Sequence, residues 1–291
     1  MARRFYYSNG DIYNIQLGRI RYKDRVMKLH STNGFVIYAK KMNEADMLLS
    51  YITEDYGKIT CFANNARKSK KRFLGKLEPA MLTNIKFYEK PGMTLDILYE
   101  VDLIEDYKNL RKNIDIYLFL TKLVEVSRIL CQERDNNKSI FYLIKNIFTG
   151  LNKLEAFSPN GNNKSSLNAV LLKYEIYFIS NLLKFTGIYP NFTDCIVCSE
   201  SNFRNAFGFS MKKGGVICGS CAEDKNNGFK YLEIKKLPVN FINLSNLMVE
   251  SDISIINKLN VKEGMLADCS VFLRDFLSFH TGKRLKSFET V

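Results

Sequence analysis

Between residues 34 and 105 apolar side chains alternate with polar ones or gather in short runs rich in β-branched and aromatic residues. That period of two predicts strands. Five candidates follow one another: GFVIYAKKM (34–42), ADMLLSYIT (45–53), GKITCFAN (57–64), MLTNIKFYE (81–89) and MTLDILYEVDLIE (93–105). Glu54-Asp55-Tyr56-Gly57 and Lys90-Pro91-Gly92 supply turn signals between them, and the longest connection, NARKSKKRFLGKLEPA (65–80), follows the third strand. Five strands with a long link after the third fit a small closed barrel, and an OB-fold is the expectation for residues 33–106.

Past Asp106 the period lengthens to that of a helix. Residues 109–133, 138–157 and 166–187 carry apolar positions at helical spacing, and the last ends at Gly187 with Pro190 beyond it. The helix of 166–187 is apolar around most of its circumference, which predicts a central place in a helical domain. Residues 190–236 read as short strands and cysteines, and 238–282 as helices again. The expected organisation is an α+β multidomain chain. A basic N-terminal extension (1–32) precedes the five-stranded OB-fold β-barrel (33–106). An α-helical domain follows (107–291), with a zinc-ribbon-like insertion at 190–236. In the extension, Arg19–Lys28 holds five basic residues and one acid, as an arm or a short extra strand pair would.

Charge changes the picture from fold to partner. The chain of 291 residues has a formal net charge of +13, which attracts polyanions, nucleic acid before anionic membrane. No apolar run is long enough for a membrane span, and the basic start lacks the apolar stretch of a signal peptide, so no membrane role is expected. Seven cysteines, an odd count, fit a reducing cytoplasm better than a secreted disulfide framework.

Four of those cysteines form a pattern. Cys195 and Cys198, then nineteen residues, then Cys218 and Cys221 give C-x2-C…C-x2-C, the spacing of a four-thiolate zinc site. Two intervening residues let one tight turn aim both sulfurs at a single ion. One structural Zn2+ is the expected cofactor; an iron–sulfur cluster, a disulfide pair and thiol redox chemistry are the rivals. A closed four-sulfur shell leaves no position for water or substrate, so catalysis at this metal is not expected. Cys61, Cys131 and Cys269 fall in apolar stretches and read as small buried residues.

Motifs of catalysis are missing. Two histidines, no Walker-type glycine loop, no dinucleotide fingerprint and no deaminase signature leave no residue set that asks to be an enzyme. Asp102, Glu105 and Asp106 read as a solvated strand end.

The long connection carries the other candidate chemistry. Arg67, Lys68, Lys70, Lys71, Arg72 and Lys76 stand together with no acid among them in 66–76. Such a run is either a solvated loop or a phosphate-binding one, whose affinity falls steeply with salt. Lys40 and Lys41 end the first strand and are weaker candidates. Phe73, Tyr38, Tyr51, Tyr56 and Phe62 are available to stack bases, as aromatics of OB-folds do, or to fill the barrel.

Taken together these stretches resemble the bacterial recombination mediator family RecO. The resemblance rests on residues 34–82, with T-E-x-x-G-K-I at 53–59 and the ARKSKKR run. FTGIYPNFTDCIVC, GGVICGSC and the terminal FLRDFLSFHTGKRLKS follow in order. It implies an N-terminal OB-fold, a helical domain and a four-cysteine zinc element. It also implies binding of single- and double-stranded DNA, annealing of complementary strands, and work with RecR, and often RecF, to load RecA onto SSB-coated strands. The SSB C-terminal tail is a further implied partner. DNA contact carries onto residues 67–72 and zinc ligation onto the four cysteines. A bacterial cytoplasmic, nucleoid-associated location is implied as well. Residues 1–32 have no counterpart in the resemblance. Two rival functions fit the composition: an RNA-binding zinc protein of the translation machinery, and a nuclease.

Overall fold

The computed structural model describes residues 4–8, 11–16, 19–22, 25–79, 81–89, 95–153, 164–201, 207–224, 234–237 and 239–289. By contacts the chain divides into two compact units, Met1–Leu120 with Cys131–Asn152, and Thr121–Leu130 with Lys153–Val291.

The first unit opens with three short strands, β1 (Arg4–Ser8), β2 (Asp11–Gln16) and β3 (Arg19–Tyr22). They pair in series as an antiparallel meander onto β4 (Arg25–Lys41), with Ile20 opposite Met27. The expected first barrel strand therefore begins earlier than its period of two indicates. The barrel continues through β5 (Met47–Thr53), β6 (Gly57–Ala63), β7 (Leu82–Glu89) and β8 (Leu95–Glu105). The remaining links are β4–β5, β5–β6, a parallel β6–β8 and β8–β7, and β7 returns to β4. That circuit is a closed five-stranded OB barrel. Beyond its pairing with β3, β4 is long enough to serve two barrel neighbours: Lys28–Phe35 pairs with β7, and Gly34–Lys41 with β5. The turn signal at 90–92 lies outside the described residues.

The barrel fills as its alternation predicts. Val36, Leu49, Tyr51, Ile59, Cys61, Ile85, Phe87, Leu98 and Val101 are buried in one cluster. Tyr51 and Phe73 belong to it, with 0% and 1% exposure, so neither is free to stack on a base. Gly57 shows why the T-E-x-x-G-K-I stretch needs its glycine. It sits at φ +62°, and a Cβ there would lie 1.9 Å from the Asp135 carbonyl oxygen. Around it, Thr53 Oγ1 donates to the Gly57 carbonyl at 2.7 Å, and Lys58 Nζ donates to the Cys131 carbonyl at 3.1 Å. The stretch that carries much of the resemblance thus docks residues 131–135 onto the barrel.

The change of period near 106 and the boundary of packing do not coincide. Two helices follow the barrel, α1 (Ile114–Leu130) and α2 (Lys138–Asn152). α2 packs in the first unit, where its Phe141 and Phe148 rings lie 5.4 and 5.1 Å from the Phe35 ring. Periodicity announces a helix but not the surface that it covers.

In the second unit α3 (Lys164–Phe185) packs against α5 (Val239–Glu250), α6 (Ile253–Lys258) and α7 (Glu263–Thr281). Tyr174, Ile176, Phe178, Ile179, Leu182 and Leu183 are buried, in keeping with its all-round apolar pattern. Its buried Glu175 accepts from Arg274 Nε at 2.6 Å and from Ser270 Oγ. The insertion is a small sheet, β10 (Gly215–Ile217)–β9 (Phe207–Ser210)–β11 (Ile234–Leu237), with the short α4 (Gly219–Glu223). Phe209 sits 4.9 Å from Phe272 of α7, and Phe241 of α5 lies 4.8 Å from the same ring, edge-to-face in both cases.

Candidate metal centre and cationic barrel end

The two cysteine knuckles meet. The sulfurs of Cys195, Cys198, Cys218 and Cys221 all lie within 4.8 Å of one another, and Cys198 Sγ is 3.7 Å from Cys218 Sγ. A tetrahedral ion with Zn–S bonds of about 2.3 Å places sulfurs roughly 3.8 Å apart. None of the cysteines is bonded to another.

Backbone geometry holds the knuckles in place. The Ser199 N–H donates to the Cys195 carbonyl at 2.8 Å, and Ser199 takes φ +60° to close that turn. Ile196 N–H donates to the Val216 carbonyl at 2.9 Å, which joins the first knuckle to β10. This approach requires Gly215, since a Cβ there would meet Ile196 Cγ2 at 2.3 Å. Amides also aim at the sulfurs: Cys218 N–H at Cys195 Sγ (3.3 Å) and Cys221 N–H at Cys218 Sγ (3.4 Å). Burial pushes the Cys195 thiol up, but N–H donors from Cys198, Cys218 and Val197 outweigh it and bring it to about 7. Burial and the neighbouring thiols push Cys221 upward, and burial raises Cys218. Once one sulfur is ionised its neighbours resist ionising, and a divalent cation relieves that conflict. The chemistry of the donor set fits zinc with all four positions filled by sulfur.

The basic candidates sort into two groups. Arg67, Arg72 and Lys76 are anchors. Arg67 Nη1 donates to the Asn43 and Glu44 carbonyls, both at 3.1 Å. Arg72 donates to the carbonyls of Asn64 (3.0 Å) and Tyr99 (3.3 Å), and Lys76 Nζ to that of Val101 (2.7 Å). Ala66, Phe73 and Leu77 plug the barrel core from the same loop. By contrast Lys40, Lys41, Lys70 and Lys71 are exposed, and among the described residues none of the four makes an ion pair. Lys68 is exposed too, 3.9 Å from the outlying Glu44. The anchors hold Lys68, Lys70 and Lys71 at the barrel end where β4 places Lys40 and Lys41. The Asn65 N–H bonded to Asp46 Oδ1 at 2.7 Å ties the loop to the turn that follows Lys40 and Lys41.

Asp102 lies 3.9 Å from Lys76 and 3.7 Å from Lys86, and Asp106 pairs with Arg111. Glu105 is exposed and accepts from the Tyr107 N–H, so the strand end carries two ion-paired carboxylates and one solvated one. Sequence pattern does not mark Met42, Leu74 and Tyr99, which are exposed at the basic end, nor a cleft of about 460 Å³ in the second unit. That cleft is lined by Arg274, Lys283 and Arg284, by the carboxylates Asp275 and Glu289, and by Leu285 and Phe288; Arg274 pairs with Glu175 and Arg284 with Glu289. Its cations are dispersed along α7 and the segment after it, so no run in the sequence signals it.

A closed OB barrel, a helical unit and a cluster of four cysteines suited to a metal ion define a multidomain α+β protein of high net positive charge. The family model for the recombination protein O N-terminal region matches residues 27–107, and that for the C-terminal region matches 111–289. The chain belongs to the recombination protein O (RecO) family. It is 26% identical over 263 residues to a DNA repair protein RecO of Myxococcus xanthus, covering 90% of this chain and 97% of that one. A DNA repair protein RecO of Alkaliphilus metalliredigens is 25% identical over 252 residues, 87% of this chain and 94% of that one. One from Desulforamulus reducens is 22% identical over 263 residues, 90% of this chain and 94% of that one. Among the described residues no helix is long and apolar enough to cross a membrane.

Proposed function

We propose that this protein is a non-catalytic DNA repair and recombination mediator. It binds single- and double-stranded DNA at the basic end of the barrel and anneals complementary strands. With RecR, and with RecF where that partner exists, it helps load RecA onto SSB-coated single strands in the bacterial cytoplasm, at the nucleoid. The observation that carries the reading is the set of exposed lysines, Lys40, Lys41, Lys68, Lys70 and Lys71, held at one end of an OB barrel by an anchored loop. Such cations neutralise phosphates without reading sequence. Arg67, Arg72 and Lys76 add charge to the same field. Family membership supports the repair role, since the relatives carry that name.

The four cysteines hold one structural Zn2+, which supplies local folding and no open coordination site. The C-terminal tail of SSB is a further partner in this reading.

The test is annealing of complementary oligonucleotides coated with SSB, with and without RecR. Annealing without added nucleotide is expected, and Lys68→Gln/Lys70→Gln/Lys71→Gln should slow it at least tenfold. A clear preference for RNA over single-stranded DNA in competition would transfer the protein to the alternative, an RNA-binding zinc protein of the translation machinery. Magnesium-dependent loss of the DNA would indicate a nuclease.

A further inference from the structure

The basic end of the barrel also presents three large apolar or aromatic side chains to solvent. Met42 is 49% exposed, Leu74 68% and Tyr99 40%. Single exposed apolar residues need no explanation. These three, however, are tied to one another through the anchors of the loop. Met42 precedes Asn43, whose carbonyl receives Arg67 Nη1. The carbonyl of Tyr99 receives Arg72 Nη1. Leu74 stands between Phe73, which enters the core, and Gly75, which turns the chain at φ +67°. The chain buries Phe73 and leaves the next residue, Leu74, in water. Tyr99 is steadied from one side by Tyr88, the rings 5.5 Å apart and edge-to-face.

Lys40 and Lys41 precede Met42 in the chain, Lys68, Lys70 and Lys71 share the loop of Leu74, and all five are exposed. The combination has a chemical meaning. Lysines engage phosphates of a single strand and of a duplex alike, because both carry the same backbone. Apolar and aromatic side chains distinguish the two. A duplex stacks its base faces internally, whereas a single strand can turn unstacked bases onto an apolar surface.

We infer that Met42, Leu74 and Tyr99 are base-contacting residues that make this end of the barrel favour single strands over duplex. The inference rests on the reading of this end as the nucleic-acid site. It adds a division of labour: the lysines set affinity for any strand, and these three set the preference for unpaired bases.

Fluorescence anisotropy with one labelled oligonucleotide, single-stranded or annealed to its complement, separates the two claims. The variants are Met42→Ser/Leu74→Ser, Tyr99→Ser, Tyr99→Phe and Lys68→Gln/Lys70→Gln/Lys71→Gln, each checked for an unchanged melting temperature. In Met42→Ser/Leu74→Ser and in Tyr99→Ser, single-strand affinity should fall about tenfold. Duplex affinity should stay within about twofold and the salt slope should not change. Tyr99→Phe should retain wild-type binding, because it keeps the stacking face. The lysine variant should lose both affinities and show a shallower salt slope. If the serine variants bind single strands as the wild type does while the lysine variant weakens, the inference is wrong and the site reading stands. Equal losses on single strand and duplex in the serine variants also overturn it. If the lysine variant binds both substrates unchanged, the site reading itself fails.

Discussion

At the scale of single residues, like residue types have been given unlike tasks. Of the six cations in 67–76, Arg67, Arg72 and Lys76 commit their donors to carbonyls of Asn43, Glu44, Asn64, Tyr99 and Val101. All of those acceptors but Asn64 lie 23 or more residues away in sequence, so no local pattern separates an anchor from a free cation. The same holds for Phe73, which closes the core rather than stacking on DNA. Replacing Arg67 or Arg72 would therefore disturb the loop as well as remove charge. Arg72→Met is expected to weaken DNA binding and also to make residues 67–76 cut faster in limited proteolysis, whereas Lys70→Gln/Lys71→Gln weakens binding with the cleavage rate unchanged. Gly57 gives a sharper case. Its backbone is left-handed, and a methyl group on its Cα would sit 1.9 Å from the Asp135 carbonyl oxygen, so there is no room for a side chain. Gly57→Ala should lower stability by about 3 kcal/mol in urea denaturation; a loss under about 1 kcal/mol would show that residues 131–135 yield easily.

At the scale of elements, the alternation of β4 to β8 was legible because a barrel wall has one inner and one outer face. Closure was legible in five strands with a long link after the third; the pairings that make it, β4 with both β5 and β7 and the parallel β6–β8 pair, were not. The seat of α2 was hidden for a similar reason, because an apolar stripe does not name its partner. One contact inside this unit is open to direct test. Asp96 on β8 is fully buried and pairs with Arg134, which follows α1. Arg134→Met leaves that carboxylate without its guanidinium partner and should cost about 3 kcal/mol, whereas adding Asp96→Leu should restore much of the loss. A double variant no more stable than Arg134→Met would mean that the cost comes from elsewhere in the 131–135 segment. The four-cysteine element is the opposite case. That its sulfurs come together was plain in the spacing, because four soft donors in two C-x2-C pairs have few other uses. The structure adds its support: the Ser199 turn, Gly215 under Ile196, and the phenylalanines beneath. Purified protein should carry about one zinc per chain. Cys218→Ser should lower both metal content and melting temperature, and full retention of zinc in that variant would reject the assignment.

At the scale of the whole molecule, a net charge of +13 attracts DNA either over the surface at large or at one site, and the two differ in how binding depends on salt. Five exposed lysines lie at the basic end, Lys40, Lys41, Lys68, Lys70 and Lys71. If each neutralises one phosphate of a single strand, counterion release gives a slope of log affinity against log salt of about −3.5. Replacing Lys68, Lys70 and Lys71 by Gln should bring that slope to roughly −1.5. A general attraction by the net charge behaves differently, because removing three of 43 basic residues would then leave the slope nearly unchanged. Affinity alone does not discriminate, since either mechanism weakens binding in the variant. The measurement is therefore a salt titration of single-strand binding for both proteins. A slope that moves by about two confines the DNA to the barrel end; a slope that stays put spreads it over the surface of both units.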